Sequence, residues 1–293
     1  IGSILGIAFR PGSGFGVGSR VPLIGTFHSV CVKILRREIG RIGYDPAFTI
    51  YDTDDQKALI RGVMKELALS SEQFKPQTFL SVISSAKNDM LTPEDFLGSA
   101  NGYYEETTAK VFAAYQAQLR ANNAVDFDDI MLLTVRLFRE HGDVLERYQE
   151  LFRYILVDEY QDTNKIQYML ISLLAAKYHN VCVVGDDWQS VYRFRGADIR
   201  NILEFERDYP DAKVIRLEQN YRSTQVILDA AYGVISHNIE RKDKKLWTER
   251  AGGQLITSYE AADEREEADF AARTIVSAVE GKERAYGDHA VLY

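Results

Sequence analysis

The sequence predicts an α/β protein in which a parallel sheet is interrupted by an all-helical insertion and followed by part of a second α/β unit. Three observations carry this. Short apolar runs at 154–157, 180–184 and 213–217 each end in a polar cluster, as buried strands of a parallel sheet do. Residues from about 50 to 125 show helical period without strand alternation. From Val214 onward strands and helices alternate, which favours parallel pairing.

In chain order, residues 4–9 form an apolar run. The glycines of 12–19 alternate and have no lysine among them, so that stretch reads as a flexible linker. Phe27, Val30, Cys31, Ile34 and Leu35 recur at helical spacing while Lys33, Arg36 and Arg37 face elsewhere, giving one amphipathic helix. Thr53 is expected to cap a helix over 54–67, Pro76 to open one with 78–88, and Pro93 one over 94–99. A longer helix is expected over 103–122. Asp126-Phe127-Asp128-Asp129 carries acids suited to capping the next helix, which runs to Glu140 and returns the chain to the strand before Asp158. Beyond the strand at 213–217 come a helix over 223–238, a strand at 255–259, a helix over 262–279 and a strand at 289–293. The expected parts are 1–37 with 126–213, the helical insertion 38–125, and the second unit 214–293.

Composition narrows the function classes. With 293 residues and 46% hydrophobic content the chain can bury more than one core. Its longest apolar runs fall far short of the roughly 20 residues of a spanning helix. Cys31, on an apolar helix face, and Cys182, in a strand read as buried, look like core residues and fit a reducing cytoplasm. No cluster of His and Cys is spaced for a metal. A net charge of −8 argues against a broad basic surface, so any nucleic-acid contact must be local.

The most telling stretch is Val157-Asp158-Glu159-Tyr160-Gln161-Asp162, where an apolar strand runs into two acids. Ligands of parallel sheets sit beyond the strands' carboxyl ends, so Asp158 and Glu159 project where phosphates would lie. One carboxylate can hold Mg²⁺ while its neighbour orients or deprotonates an attacking water. Alone, such a pair is commonly a solvated turn. Two further strand ends strengthen it: Gly185-Asp186-Asp187-Trp188-Gln189-Ser190 and Glu218-Gln219-Asn220-Tyr221-Arg222-Ser223-Thr224. Tyr192-Arg193-Phe194-Arg195 interleaves rings with arginines, the residue types that hold single strands by stacking.

At these residues, and from Thr26-Phe27-His28-Ser29 to the end, the chain resembles the UvrD/Rep/PcrA family of superfamily-one DNA helicases. Residues 157–162 match the family's Walker B motif, 185–198 its third motif and 219–223 its fourth. The resemblance implies a RecA-like motor domain with a helical insertion, part of a second RecA-like domain, and ATP with Mg²⁺ as the fuel. Asp158, with Glu159, would hold Mg²⁺, and Glu159 would position or activate water. Gln189 would sense the γ-phosphate, Arg222 would be an arginine finger, and Tyr221 would stack on adenine. Thr26, Phe27, His28, Tyr192 and Phe194 would line the DNA track, and Arg195 would pair with Glu159 or Asp186 or else contact a phosphate. Phe27 also fits the buried stripe of its helix. The implied activity is 3′ to 5′ translocation on single-stranded DNA with unwinding of duplex, in repair or replication, alongside proteins of those pathways.

Three departures qualify the likeness. Trp188 stands where many members carry a third acid. No Gly-x-x-x-x-Gly-Lys-Ser/Thr loop, the family's Walker A, occurs, and the fifth and sixth motifs are also missing. Residues 4–9 look like the strand that follows the family's first helix, and what usually follows that strand is missing, so the start reads as truncated or spliced and the chain is expected to be inactive by itself. The competing readings are a binding module that has lost its ATPase and the motor part of a helicase-nuclease.

Overall fold

The computed structural model describes residues 22–70, 72–192, 196–238, 241–242 and 244–292. The strand expected at 4–9, the glycine-rich stretch 12–19, and Phe194 and Arg195 lie outside them. The chain divides into two compact units, Ile1–Lys213 and Val214–Tyr293.

In the first unit, helix α1 (Phe27–Glu38) starts where the Thr26 Oγ1 accepts the Ser29 N–H at 3.2 Å. Its Cys31, Ile34 and Leu35 are buried. They pack with residues of α6 (Phe127–Glu140), α7 (Gly142–Leu151) and α8 (Lys165–Ala175) into one core that includes Leu133, Leu137, Phe138, Tyr148 and Leu170. Ile39, Ile42, Tyr44 and Phe48 belong to this core as well. The sequence reading runs straight from α6 to the next strand, whereas the chain breaks at His141 (φ −128°, ψ 82°) and forms α7. Val144 and Tyr148, four apart, are the stripe that α7 buries.

Helices α2 (Thr53–Glu66), α3 (Pro76–Asn88), α4 (Pro93–Gly98) and α5 (Tyr103–Ala121) enclose a separate core of Ile60, Val63, Phe79, Ile83, Phe112, Tyr115 and Leu119. Asp52, not Thr53, caps α2. Its Oδ1 accepts the N–H groups of Asp54 at 2.8 Å and Asp55 at 2.9 Å, and a carboxylate at that end also suits the helix dipole. At the mouth of this helical part, β1 (Thr49–Ile50) and β2 (Ala124–Val125) pair in parallel, so the chain leaves and re-enters the first core side by side.

Strands β3 (Ile155–Val157) and β4 (Val181–Val183) pair in parallel with Leu156 opposite Cys182. Val157 and Tyr160 pack against Ile171 of α8 and against Ile202 and Phe205 of the short helices α9 (Arg200–Leu203) and α10 (Phe205–Asp208). The strands were expected to be buried on both faces; instead Leu156 is 78% exposed and Cys182 is exposed. Side chains alternate across a sheet, and among the described residues α8 to α10 cover one face of the β3–β4 pair.

The second unit contains α11 (Gln225–Ile235) and α12 (Glu264–Glu280) close to where the sequence puts them. The strands expected at 213–217, 255–259 and 289–293 do not form among the described residues. A strand persists only as part of a ladder, and among the described residues no strand is formed beside these segments. Leu217 and Leu255 are accordingly more than four-fifths exposed. Among the described residues of this unit, Gln219 and Trp247 form an isolated parallel bridge. Among the described residues no helix is long and apolar enough to cross a membrane.

Candidate active site

Beyond β3 and β4 the chain makes two short 3-10 turns, Tyr160–Asp162 and Asp187–Gln189, at the same edge of the sheet. They are stitched together. The Val184 N–H donates to the Val157 carbonyl at 2.8 Å, and the Tyr160 N–H donates to the Val184 carbonyl at 3.0 Å. Asp158 Oδ1 accepts the Glu159 N–H at 3.0 Å, and Glu159 has left-handed backbone (φ 51°). Both acids are exposed, so each carboxylate can meet a ligand.

Gln161, just beyond them, is 1% exposed and links the two turns. Its Nε2 donates to Glu159 Oε2 at 2.7 Å, and its Oε1 accepts the Asp186 N–H at 3.0 Å. In the second turn Asp186 caps Trp188 (2.9 Å) and accepts from Gln189 Nε2 (2.8 Å). The close approach requires Gly185: a Cβ there would lie 2.6 Å from Gln161 Oε1 and 2.7 Å from Ile202 Cδ1. Because the Gln161 amide is bonded at both ends it cannot simply move aside. Gly185→Ala is therefore expected to cost about 1–3 kcal/mol, read as a lower melting temperature; an unchanged melting temperature would show that the turn relaxes freely.

The rest of the unit ties into this edge. The Thr163 carbonyl accepts the Asp198 N–H and Asn201 Nδ2, each at 3.0 Å, and the Asn164 Nδ2 donates to Asn88 Oδ1 at 2.7 Å. Asn88, the last residue of α3, also donates to Asp128 Oδ1 at 3.0 Å. Next to it, the wholly buried Lys87 is paired with Asp126 (2.6 Å) and Asp129 (2.8 Å). The acids at 126–129 were expected only to cap α6. Asp126 does accept the Asp129 N–H at 2.9 Å, and the same side chain also takes the Lys87 ammonium and the Tyr115 hydroxyl.

Of the expected DNA contacts, Thr26 accepts the α1 cap bond through its Oγ1, and Phe27 packs against core residues at the base of β3. His28 is half-buried, its ring 5.8 Å edge-on from Phe127. Burial lowers its pKa against the opposing pull of Asp128. Tyr192 is exposed.

In the second unit Asn220 Oδ1 accepts the N–H groups of Arg222 (3.0 Å) and Ser223 (2.8 Å), an Asx turn that presents both Tyr221 and Arg222 to solvent. The Tyr221 ring is 72% exposed, not packed in a core. Its hydroxyl donates to Gln219 Oε1 at 2.6 Å, and Arg250 Nη1 holds the Arg222 carbonyl at 2.9 Å.

Residues 12–210 match the family model described as the UvrD/REP helicase N-terminal domain, and residues 215–293 match the UvrD-like helicase C-terminal domain. The chain belongs to the UvrD/Rep helicase family. Its α/β architecture of helices and short parallel strands is the RecA-like one of that family. Similar curated UvrD/Rep-type proteins include the ATP-dependent DNA helicase PcrA of Staphylococcus epidermidis, 50% identical over 278 residues, and that of Leuconostoc citreum, 52% identical over 270 residues. Those alignments cover 95% and 92% of this chain but 38% and 36% of the relatives, so this UvrD/Rep chain spans less than two-fifths of their length.

Proposed function

We propose that this chain is part of an ATP-dependent DNA helicase motor that moves 3′ to 5′ along single-stranded DNA and opens duplex ahead of it. The observation that carries the reading is the pair of stitched turns at one sheet edge, bearing Asp158 and Glu159 on one and Gln189 on the other. Their family membership, and the names of the relatives, support ATP as the substrate.

Asp158 and Glu159 are hard oxygen donors that fit Mg²⁺. Among the described residues no group of three or more His, Cys, Asp or Glu gathers to hold a metal. That suits an ion whose remaining ligands are water and phosphate oxygens. Mg²⁺ would supply neutralisation of charge on the transferred phosphoryl group. Glu159 orients the attacking water and accepts its proton, Gln189 contacts the γ-phosphate, Arg222 offsets charge developing on it, and Tyr221 stacks on adenine. Thr26, Phe27, His28, Tyr192 and Phe194 are proposed to line the DNA track, with Tyr192 and Phe194 stacking on bases. We further propose the layout 1–37 with 126–213, 38–125, and 214–293, a cytoplasmic location, and repair or replication proteins as partners.

Hydrolysis by the 293 residues is proposed to need a phosphate-cradling loop supplied to them, because no Gly-x-x-x-x-Gly-Lys-Ser/Thr occurs in them. The test of the motor is made on the whole protein. Single-stranded DNA is expected to raise ATP hydrolysis, and a duplex with a 3′ tail is expected to open where a 5′-tailed one does not. Hydrolysis indifferent to DNA would remove the motor, and opening of the 5′-tailed duplex alone would reverse the direction.

A further inference from the structure

We infer that Gln161 is a positioning residue for hydrolysis: its buried side-chain amide fixes the Glu159 carboxylate relative to the turn that carries Gln189. The inference rests on the nucleotide-site reading above and deepens it. It comes from the polarity of the two partners. A carboxylate can only accept, and a backbone N–H can only donate. The Gln161 amide meets both, giving its NH₂ to Glu159 Oε2 at 2.7 Å and its oxygen to the Asp186 N–H at 3.0 Å. Turned over, the amide would set oxygen against carboxylate and NH₂ against N–H, so only one orientation satisfies the pair.

The surroundings are built for this contact. Gly185 leaves room for the amide oxygen at a distance that any other residue would close. The Asp186 side chain, on the residue whose N–H is held, in turn accepts from Gln189 Nε2 at 2.8 Å. A continuous line of hydrogen bonds thus runs from Glu159 through Gln161 and Asp186 to Gln189. Glu159 and Gln189, beyond the ends of separate strands, are held in one register, and a displacement of the Gln189 turn is passed to the Glu159 carboxylate. Side chains fixed in this way by a neighbouring shell set catalytic geometry to a fraction of an ångström.

The side-chain length is part of the argument. Asparagine would fall one methylene short of one partner or the other. Glutamate could still accept from Asp186 but would set a second negative charge against Glu159, and methionine would fill the volume while satisfying neither.

The experiment compares Gln161→Met and Gln161→Glu with the parent in the whole protein, reading kcat and KM for ATP with single-stranded DNA present, beside the melting temperature. Both variants are expected to lose kcat on the order of tenfold to a hundredfold with KM changed less than about threefold. A residue that only packs would lower the melting temperature and leave kcat of the folded enzyme intact, and that result would overturn the inference. Should either variant fold poorly, the cycle with Glu159→Gln decides on the folded fraction. If Gln161 acts through Glu159, Gln161→Met costs nothing further in that background, whereas an equal loss in both backgrounds overturns it. Failure of the underlying reading looks different: Glu159→Gln would then hydrolyse ATP at the parent's rate.

Discussion

Replacing Glu159 by glutamine is expected to lower ATP turnover by roughly 10²–10⁴-fold, the range a positioned general base contributes, while nucleotide binding persists. The substitution keeps size and shape. The new amide can turn its oxygen toward Gln161 Nε2, so the bond now 2.7 Å long survives, and Asp158 still accepts the backbone N–H of residue 159. What is lost is the capacity to take a proton from water. Steady-state hydrolysis paired with an equilibrium titration of a fluorescent nucleotide separates the two quantities. A variant that binds and hydrolyses like the parent would remove Glu159 from the chemistry.

The second large effect concerns stability. Lys87→Met is expected to destabilise the first unit by about 3–5 kcal/mol, because it breaks a buried ion pair from one side. Burial alone would lower the Lys87 pKa, but the Asp129 and Asp126 carboxylates reverse this and raise it, so the ammonium stays charged. Burial also pushes Asp129 up to about 6 against the pull of Lys87. Without the lysine, two acids remain buried with no cation between them, and Asp129, already raised by burial, binds a proton more readily folded than unfolded. A group whose folded pKa is raised stabilises as pH falls, since the native state then holds the extra protons. The deficit of Lys87→Met should therefore shrink at mildly acidic pH and grow toward alkaline pH, as denaturant melts at several pH values would show. A deficit independent of pH would mean that Asp126 and Asp129 find other partners.

Much of this molecule can be read from its residues, and the gaps have physical causes. Asp158 and Glu159 are legible because an apolar run ends abruptly in two charges, a contrast visible in one dimension. Gln161 is not, since a glutamine in a polar turn looks the same whether it faces solvent or lies buried between a carboxylate and a backbone N–H. Lys87 carried a signal that could have been used: it lies four residues beyond Ile83 and seven beyond Leu80, on the stripe that α3 buries. A charge at such a position asks for a buried counter-charge, and Asp126 and Asp129 supply it. The apolar runs at 213–217 and 255–259 mislead in the opposite sense. Their composition tells what they could bury, not which neighbour would pair with them, and hydrogen-bonding partners are a property of three dimensions. Cys182 errs for the same reason, because a strand with one covered face leaves alternate residues in water.

The left-handed backbone at Glu159 sets folding against catalysis. A side chain with a Cβ gives up about 1–2 kcal/mol to sit there, and only glycine is at ease at such angles. Selection for thermal robustness alone would thus drive this position toward glycine and away from the carboxylate, so a stabilised variant that keeps its activity must gain its margin elsewhere in the chain.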